Sequence, residues 1–242
     1  MRMIFKKKRR YFLLVFVIVT LLVGIWLTLS PQMERQRALA EQERLLGSIT
    51  AGNGTITLDP KVVQSVPDDY DVESAANSNV STADVEVFLP IGDVTNPQET
   101  DIDTLEITGI GILRIGKIDL ELPVVDGVTK SKLKVAIGRV PRTAAIGEIG
   151  NAVIAGHRSY TYGKYFNRLG EIVVGDMIEY QAKDGGMMHF EVYQIRTIMP
   201  GDQSAFRQPK DSAEITLYTC TPIRVANRRL LIHAKLIEEV AK

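Results

Sequence analysis

Three regimes of hydrophobic patterning follow one another along the 242 residues. Residues 11–30, YFLLVFVIVTLLVGIWLTLS, carry no charged side chain. As a helix rising about 1.5 Å per residue, the run reaches roughly 30 Å, the thickness of a bilayer's hydrocarbon core. It predicts a membrane-spanning helix with Tyr11 and Trp26 near its ends, where interfacial aromatics sit, and with Pro31 marking the exit. Residues 32–47, QMERQRALAEQERLLG, mix charges with Ala and Leu and predict a short helix closed by Gly47. From about 48 to 105 the apolar runs, such as EVFLPI, are short and set among Asp, Ser, Thr, Asn, Gly and Pro. That segment predicts a mostly extended, partly disordered tether, or else a flap folded over the domain beyond it.

Beyond Ile107 the period changes to two. GILRIGKIDLELPVV alternates apolar and polar positions and is rich in β-branched residues, the pattern of strands. NAVIAGH is nearly all apolar and ends in Gly-His, as a buried strand stopping at a loop would. DMIEYQAKDGGMMHFEVYQIRTIMP reads as a hairpin around Asp184-Gly185-Gly186, and EITLYTC and RLLIHAKLIE as two more strands. YFNRLGEI supplies one helical turn or two. Many strands, frequent turns and few helices predict an all-β domain, a closed or nearly closed barrel of about eight strands. The expected organisation is a tail at 1–10, a membrane segment at 11–30, a juxtamembrane helix and acidic linker at 31–105, and the barrel domain at 106–242.

Charge refines this picture. The formal net charge is zero, so no global basic field argues for nucleic acid. The first ten residues, MRMIFKKKRR, nevertheless hold six cations, whereas 59–106 hold twelve acids and only Lys61 as a base. The basic block orients the apolar run with its N-terminus in the cytoplasm and the rest outside. A cleaved signal peptide is the competing reading, but its apolar region is shorter, and the nearest small-x-small site, Ala38-Leu39-Ala40, lies far beyond the run.

A single cysteine, Cys220, excludes an internal disulfide and a cysteine-rich zinc site. It is either an inert buried thiol or a nucleophile. Nucleophilic attack needs the thiolate, assisted by an imidazole or another cation. Of three histidines, His157 ends an apolar strand where a loop exposes it; His189 and His233 lie inside strands, where a structural or surface role is the default. Acyl transfer also needs a group for the oxyanion, and arginine offers a permanent charge with directed donors. Arg228 and Arg229 open the strand after the cysteine, and because neighbouring strand residues face opposite ways, only one of them can face the thiol. Asp119, Glu121 and Glu148 are single carboxylates on strands and loops, ordinarily solvated surface, and neither metal nor cofactor is expected.

TLYTC matches the TLxTC signature of sortases, the membrane-anchored cysteine transpeptidases of Gram-positive bacteria; NAVIAGHRSY resembles the segment around their histidine, and IGILRIGKIDLELPVVDG the first strands of their barrel. The resemblance covers about 107–238. It implies Cys220 as nucleophile, His157 as general acid for the leaving amine, and Arg229, nine residues after the cysteine, as the group binding the carbonyl and oxyanion, with Arg228 as minor candidate. It further implies that Thr219 lines the substrate groove, and that the loop MPGDQSAFRQPKDS (199–212) reads the Leu-Pro part of an LPxTG-type signal near Pro200 and Ala205. The implied partners are proteins bearing that signal and an amino group from a cell-wall precursor or a pilin lysine. The chain lacks the second C-terminal membrane helix and the Asp-Pro-aromatic lid motif (Asp59-Pro60 precedes Lys61) common in pilin-polymerising class C. AGHRSYTYGKYFNRLGEI is more like class D, whereas TCTP and the short loop to Arg229 are shared with class C. A cysteine hydrolase using water, and a non-enzymatic tethered β-domain, are the remaining alternatives.

Overall fold

The computed structural model describes residues 2–59, 62, 106–158, 165–223 and 225–240. Of the linker expected from about 48 to 105, residues 60, 61 and 63–105 lie outside the described residues. The chain divides into two units, 1–40 and 41–242.

The first unit is helical. The helix α1, Arg2–Thr50, begins in it and continues into the second unit. Pro31 does not end it: one missing N–H is outweighed by the helix formers of 32–46. Side chains within the apolar run are described for 15–26, all of them exposed. Among the described residues no helix is long and apolar enough to cross a membrane; the rest of the 11–30 run lies outside the described side chains.

The second unit is the barrel. Among the described residues nine strands, β1 (Thr55–Thr57), β2 (Glu106–Ile115), β3 (Leu120–Asp126), β4 (Ile137–Arg139), β5 (Gly150–Ala155), β6 (Met177–Ala182), β7 (Met187–Ile198), β8 (Ala213–Thr221) and β9 (Arg228–Val240), run in the order β1-β2-β3-β4-β5-β8-β9-β7-β6. Pairing of β6 back onto β2 closes an eight-stranded ring, with β1 added beside β2. The β3–β4 and β5–β8 pairs are parallel and the rest antiparallel. The period-two pattern fixes these strands. Ala152 and Ile154 of β5, Ile215 and Leu217 of β8 and Leu230, Ile232 and Ala234 of β9 fill the interior with Phe190 and Phe166. The Asp184-Gly185-Gly186 hairpin forms as expected, Gly185 taking a positive φ of 94°. YFNRLGEI gives one turn, the 3-10 segment Leu169–Glu171.

The barrel unit starts earlier than the sequence pattern indicates. Gly47 is inside α1, not at its end; the helix stops at Thr50, before Gly52 turns the chain at φ 82°. Leu45 and Ile49 pack with Ile56, Leu58, Ile107, Ile112 and Val125 in a second cluster outside the ring. Within 41–58, Leu45, Ile49, Ile56 and Leu58 are therefore packed into the barrel unit, while residues 50–53 stay exposed. The fit is close: a Cβ on Gly109 would sit 2.3 Å from Ile49 Cδ1.

A third cluster covers another part of the outer surface. Val153 and Ala155 of β5, Ile198 of β7, Tyr218 of β8 and Leu231 of β9 pack with Ala205 of the loop 199–212 and with Leu133 of the short helix α2 (Lys130–Leu133).

Candidate active site

Strand parity puts Cys220 on this third, outer face, with Tyr218 and opposite to the inward-facing Leu217 and Thr219. The residue is 8% exposed and stands near the end of β8, so it belongs to the surface layer and not to the barrel interior. Across the antiparallel β8–β9 pair, Cys220 is directly opposite Arg229, and Thr221 is opposite Arg228. Directly opposed residues share a face, so Arg229 is the arginine beside the thiol and Arg228 points away from it.

Arg229 is held in place by the loop it follows. Its Nη1 donates to the carbonyls of Ala226 (3.0 Å) and Arg228 (3.1 Å). Ala226 is in the left-handed region at φ 54°, and its N–H donates to Pro222 O at 2.9 Å, closing the turn. The Arg229 Nε is buried without a hydrogen-bond partner among the described residues. Burial raises the pKa of the Tyr218 phenol, an effect opposed by the Arg229 cation next to it.

His157 comes from the other neighbour of β8. The parallel register pairs Ala155 with Tyr218, and the ladder continues as Gly156 N–H donates to Tyr218 O at 3.1 Å. Two further steps bring His157 level with Cys220, at the same parity as the outward-facing Val153 and Ala155. Desolvation, with a smaller push from Lys134, lowers the His157 pKa to about 4, so imidazolium is a minor species at neutral pH. Tyr165 meets the ring edge-on at a centroid distance of 6.0 Å, and its hydroxyl donates to Lys134 O. β8 thus runs between a histidine-bearing loop on one side and an arginine-bearing strand on the other.

Thr219 does not line a groove on this face. It is fully buried and faces inward, and its hydroxyl donates to Gly156 O at 2.7 Å, fastening the histidine loop to β8. Ala205 is also fully buried, with its carbonyl accepting from Asn151 Nδ2 at 2.9 Å. Gln208 grips both backbone groups of Asn151, at 2.9 and 3.0 Å. Phe206 then lies tilted over Tyr218, ring centroids 6.1 Å apart, so the loop is pinned beside the cysteine strand. Pro200 is exposed in the preceding turn.

His189 is paired with Glu238 on the surface, whereas His233 is buried and bonded to Thr216 Oγ1 at 2.9 Å. Of the three carboxylates Asp119, Glu121 and Glu148, Glu121 is paired with Arg114 and Asp119 approaches Arg168, and no cluster of three or more metal-ligating side chains forms among the described residues.

Arg158, Lys134, Tyr165 and Asn151 are not among the sequence candidates. Only Arg158 carries a usable signal, its position next to His157; the others approach through long-range folding.

The family model for the sortase domain matches residues 113–237, more than half of the chain. The chain belongs to the sortase family. Among curated relatives, it is 29% identical over 152 residues to Sortase SrtE1 of Streptomyces coelicolor, covering 54% of this chain and 41% of that one. It is 29% identical over 130 residues to Sortase D of Bacillus subtilis, covering 52% and 63%. Among solved structures, a Clostridium perfringens Sortase D5 transpeptidase aligns at TM-score 0.50 and 31% identity, covering 54% of this chain and 80% of that one. Sortase C1 of GBS pilus island 1 aligns at 0.52 and 29%, covering 55% and 66%. The chain spans 41% and 63% of the length of the two curated relatives.

Proposed function

We propose that this sortase is a cysteine transpeptidase acting on an LPxTG-type sorting signal. The reading rests on one observation above all: a cysteine on the outer barrel face, directly opposite Arg229 and flanked on its other side by the His157 loop.

In the reaction, the Cys220 thiolate adds to the carbonyl carbon of the signal's threonine. The negative charge that develops on oxygen falls to the Arg229 guanidinium, whose donors are already fixed. The tetrahedral intermediate collapses to a thioester as the Thr–Gly C–N bond breaks, and His157 gives its proton to the departing amine. An incoming amine then attacks the thioester carbonyl, loses its proton to the imidazole and releases the thiolate. Phe206 forms part of the wall along which the Leu-Pro portion lies, with Ala205 packed behind it and Pro200 at its margin.

A class D-type role, attachment of exported proteins to the cell wall, is favoured by AGHRSYTYGKYFNRLGEI and by the likeness to two sortases named D. The apolar run 11–30 and its basic N-terminal flank support a single membrane anchor with the catalytic domain outside the cytoplasm.

The test is incubation of the protein with a panel of sorting peptides, with and without triglycine, and product identification by mass. The expected result is cleavage between Thr and Gly, a ligated product with triglycine, and no turnover by Cys220→Ala. Cleavage without ligation under any amine would make the protein a hydrolase; full activity in Cys220→Ala would overturn the reading.

A further inference from the structure

We propose that Arg158 is a positioning residue of this site: it ties the histidine loop to the end of the cysteine strand and holds a second fixed positive charge beside the Cys220 thiol. The proposal deepens the sortase reading and rests on it for the reaction concerned.

Arg158 Nη1 donates to Thr221 Oγ1 at 2.7 Å and approaches Cys220 O at 3.5 Å, so one guanidinium spans both residues at the strand end. It is anchored one residue beyond His157, and any slip of the loop along β8 would break these contacts. Together with Thr219 Oγ1–H to Gly156 O, they hold the loop against the strand end over three consecutive residues, 156 to 158.

The guanidinium is also kept where solvation alone would not put it. Its Nε is buried without a hydrogen-bond partner among the described residues, which costs free energy that the exposed side of the molecule would not exact. Desolvation lowers its pKa, and the electrostatic influence opposing that shift is Cys220 itself. Gly170 leaves the space open: a Cβ there would lie 2.8 Å from Arg158 Nη2.

Among the described residues, the charged and titratable groups around the thiol come from every neighbouring element. They are His157 and Arg158 from the loop after β5, Arg229 from β9 and Tyr218 from β8 itself. Asp202, before the Gln203–Phe206 turn, acts on Tyr218 one step further out, and Lys134, after α2, acts on His157. With one cation on each side, negative charge generated on sulfur is flanked by Arg158 and Arg229. The two differ in attachment: Arg229 is bonded to its own loop, Arg158 to the nucleophile's strand.

The test compares alkylation of the protein's one thiol by iodoacetate, which is anionic, and iodoacetamide, which is neutral. The ratio of the two rates reads positive charge beside the sulfur and needs no sorting substrate. Arg158→Gln should lower the ratio by about three- to tenfold, as loss of one nearby, partly screened charge would. Arg158→Lys should keep most of it. In peptide cleavage, Arg158→Gln should lower kcat tenfold or more and change KM less than twofold. Gly170→Ala, at an exposed position, displaces the guanidinium without removing its charge and should lower the ratio about twofold; it also serves if Arg158→Gln does not fold. An unchanged ratio in the Gln variant, or equal loss in the Lys and Gln variants, overturns the proposal. If the wild-type protein turns over no sorting peptide, the sortase reading fails while the alkylation ratio still decides the role of Arg158.

Discussion

Cys220 stands directly opposite Arg229 across β8 and β9, one pair inside the Thr221–Arg228 pair. A side-chain period of two makes the difference between the two arginines absolute: a slip of one residue would exchange them. Arg229→Ala should therefore lower kcat/KM for a sorting peptide by about 10²–10³-fold, the scale for losing a preorganised oxyanion donor. Arg228→Ala should change it less than threefold. Steady-state kinetics on the two variants checks this, and equal losses would contradict the register argument.

The low pKa of His157 has a consequence for stability. Because the folded protein holds this pKa near 4 and an unfolded chain near 6.5, the unfolded state binds more protons between those values. This histidine's contribution is therefore fully favourable above about pH 6.5 and is lost as pH falls through 6.5 towards 4. His157→Gln should flatten the dependence of Tm on pH across that window relative to wild type and leave the two proteins alike in slope above it. Thermal denaturation at a series of pH values reads the effect.

Asn151 anchors the loop 199–212 through its side chain and both backbone groups. Its Oδ1 also accepts from Thr216, so removal of the amide leaves the Ala205 carbonyl without this donor and Thr216 with His233 alone. Asn151→Ala should cost about 1–3 kcal/mol of stability by leaving buried polar groups unpaired. It should also raise the KM for a sorting peptide more than it lowers kcat, since it loosens the wall and not the reacting groups. A KM unchanged within error would detach this loop from substrate binding.

The end of α1 is part of the barrel unit's core. Leu45 is fully buried beneath it, and Leu45→Ala should destabilise the protein by about 2–5 kcal/mol, measured by chemical denaturation. Removing residues 1–50 should have a larger effect, by exposing Ile107, Ile112 and Val125.

Much of this protein is legible from one dimension. Alternation marks the strands β2, β3 and β6–β9, because a half-buried strand must write its two faces into adjacent positions, and a continuous apolar run marks β5, which is buried on both faces. Single occurrence singles out Cys220, and a strand end leading into a loop marks His157. The sequence also narrows the arginine to a pair of neighbours. Where it misleads, the reason is local reading of a non-local energy. Pro31 and Gly47 carry stop signals for helices, yet α1 passes both, and its last turns lie against strands some sixty residues further along the chain. Adjacency to the cysteine suggests a groove position for Thr219, but its parity turns it inward to Gly156.

What only the tertiary structure decided is convergence. The β5–β8 and β8–β9 pairings bring 157, 220 and 229 to one end of one face, and they put the Arg158 guanidinium on Thr221. Sequence determines which residues can do chemistry and which way each faces along its own strand. Which strands become neighbours, and at what register, comes from burying all the inward faces at once in a closed ring, a condition on the whole chain that no single segment contains.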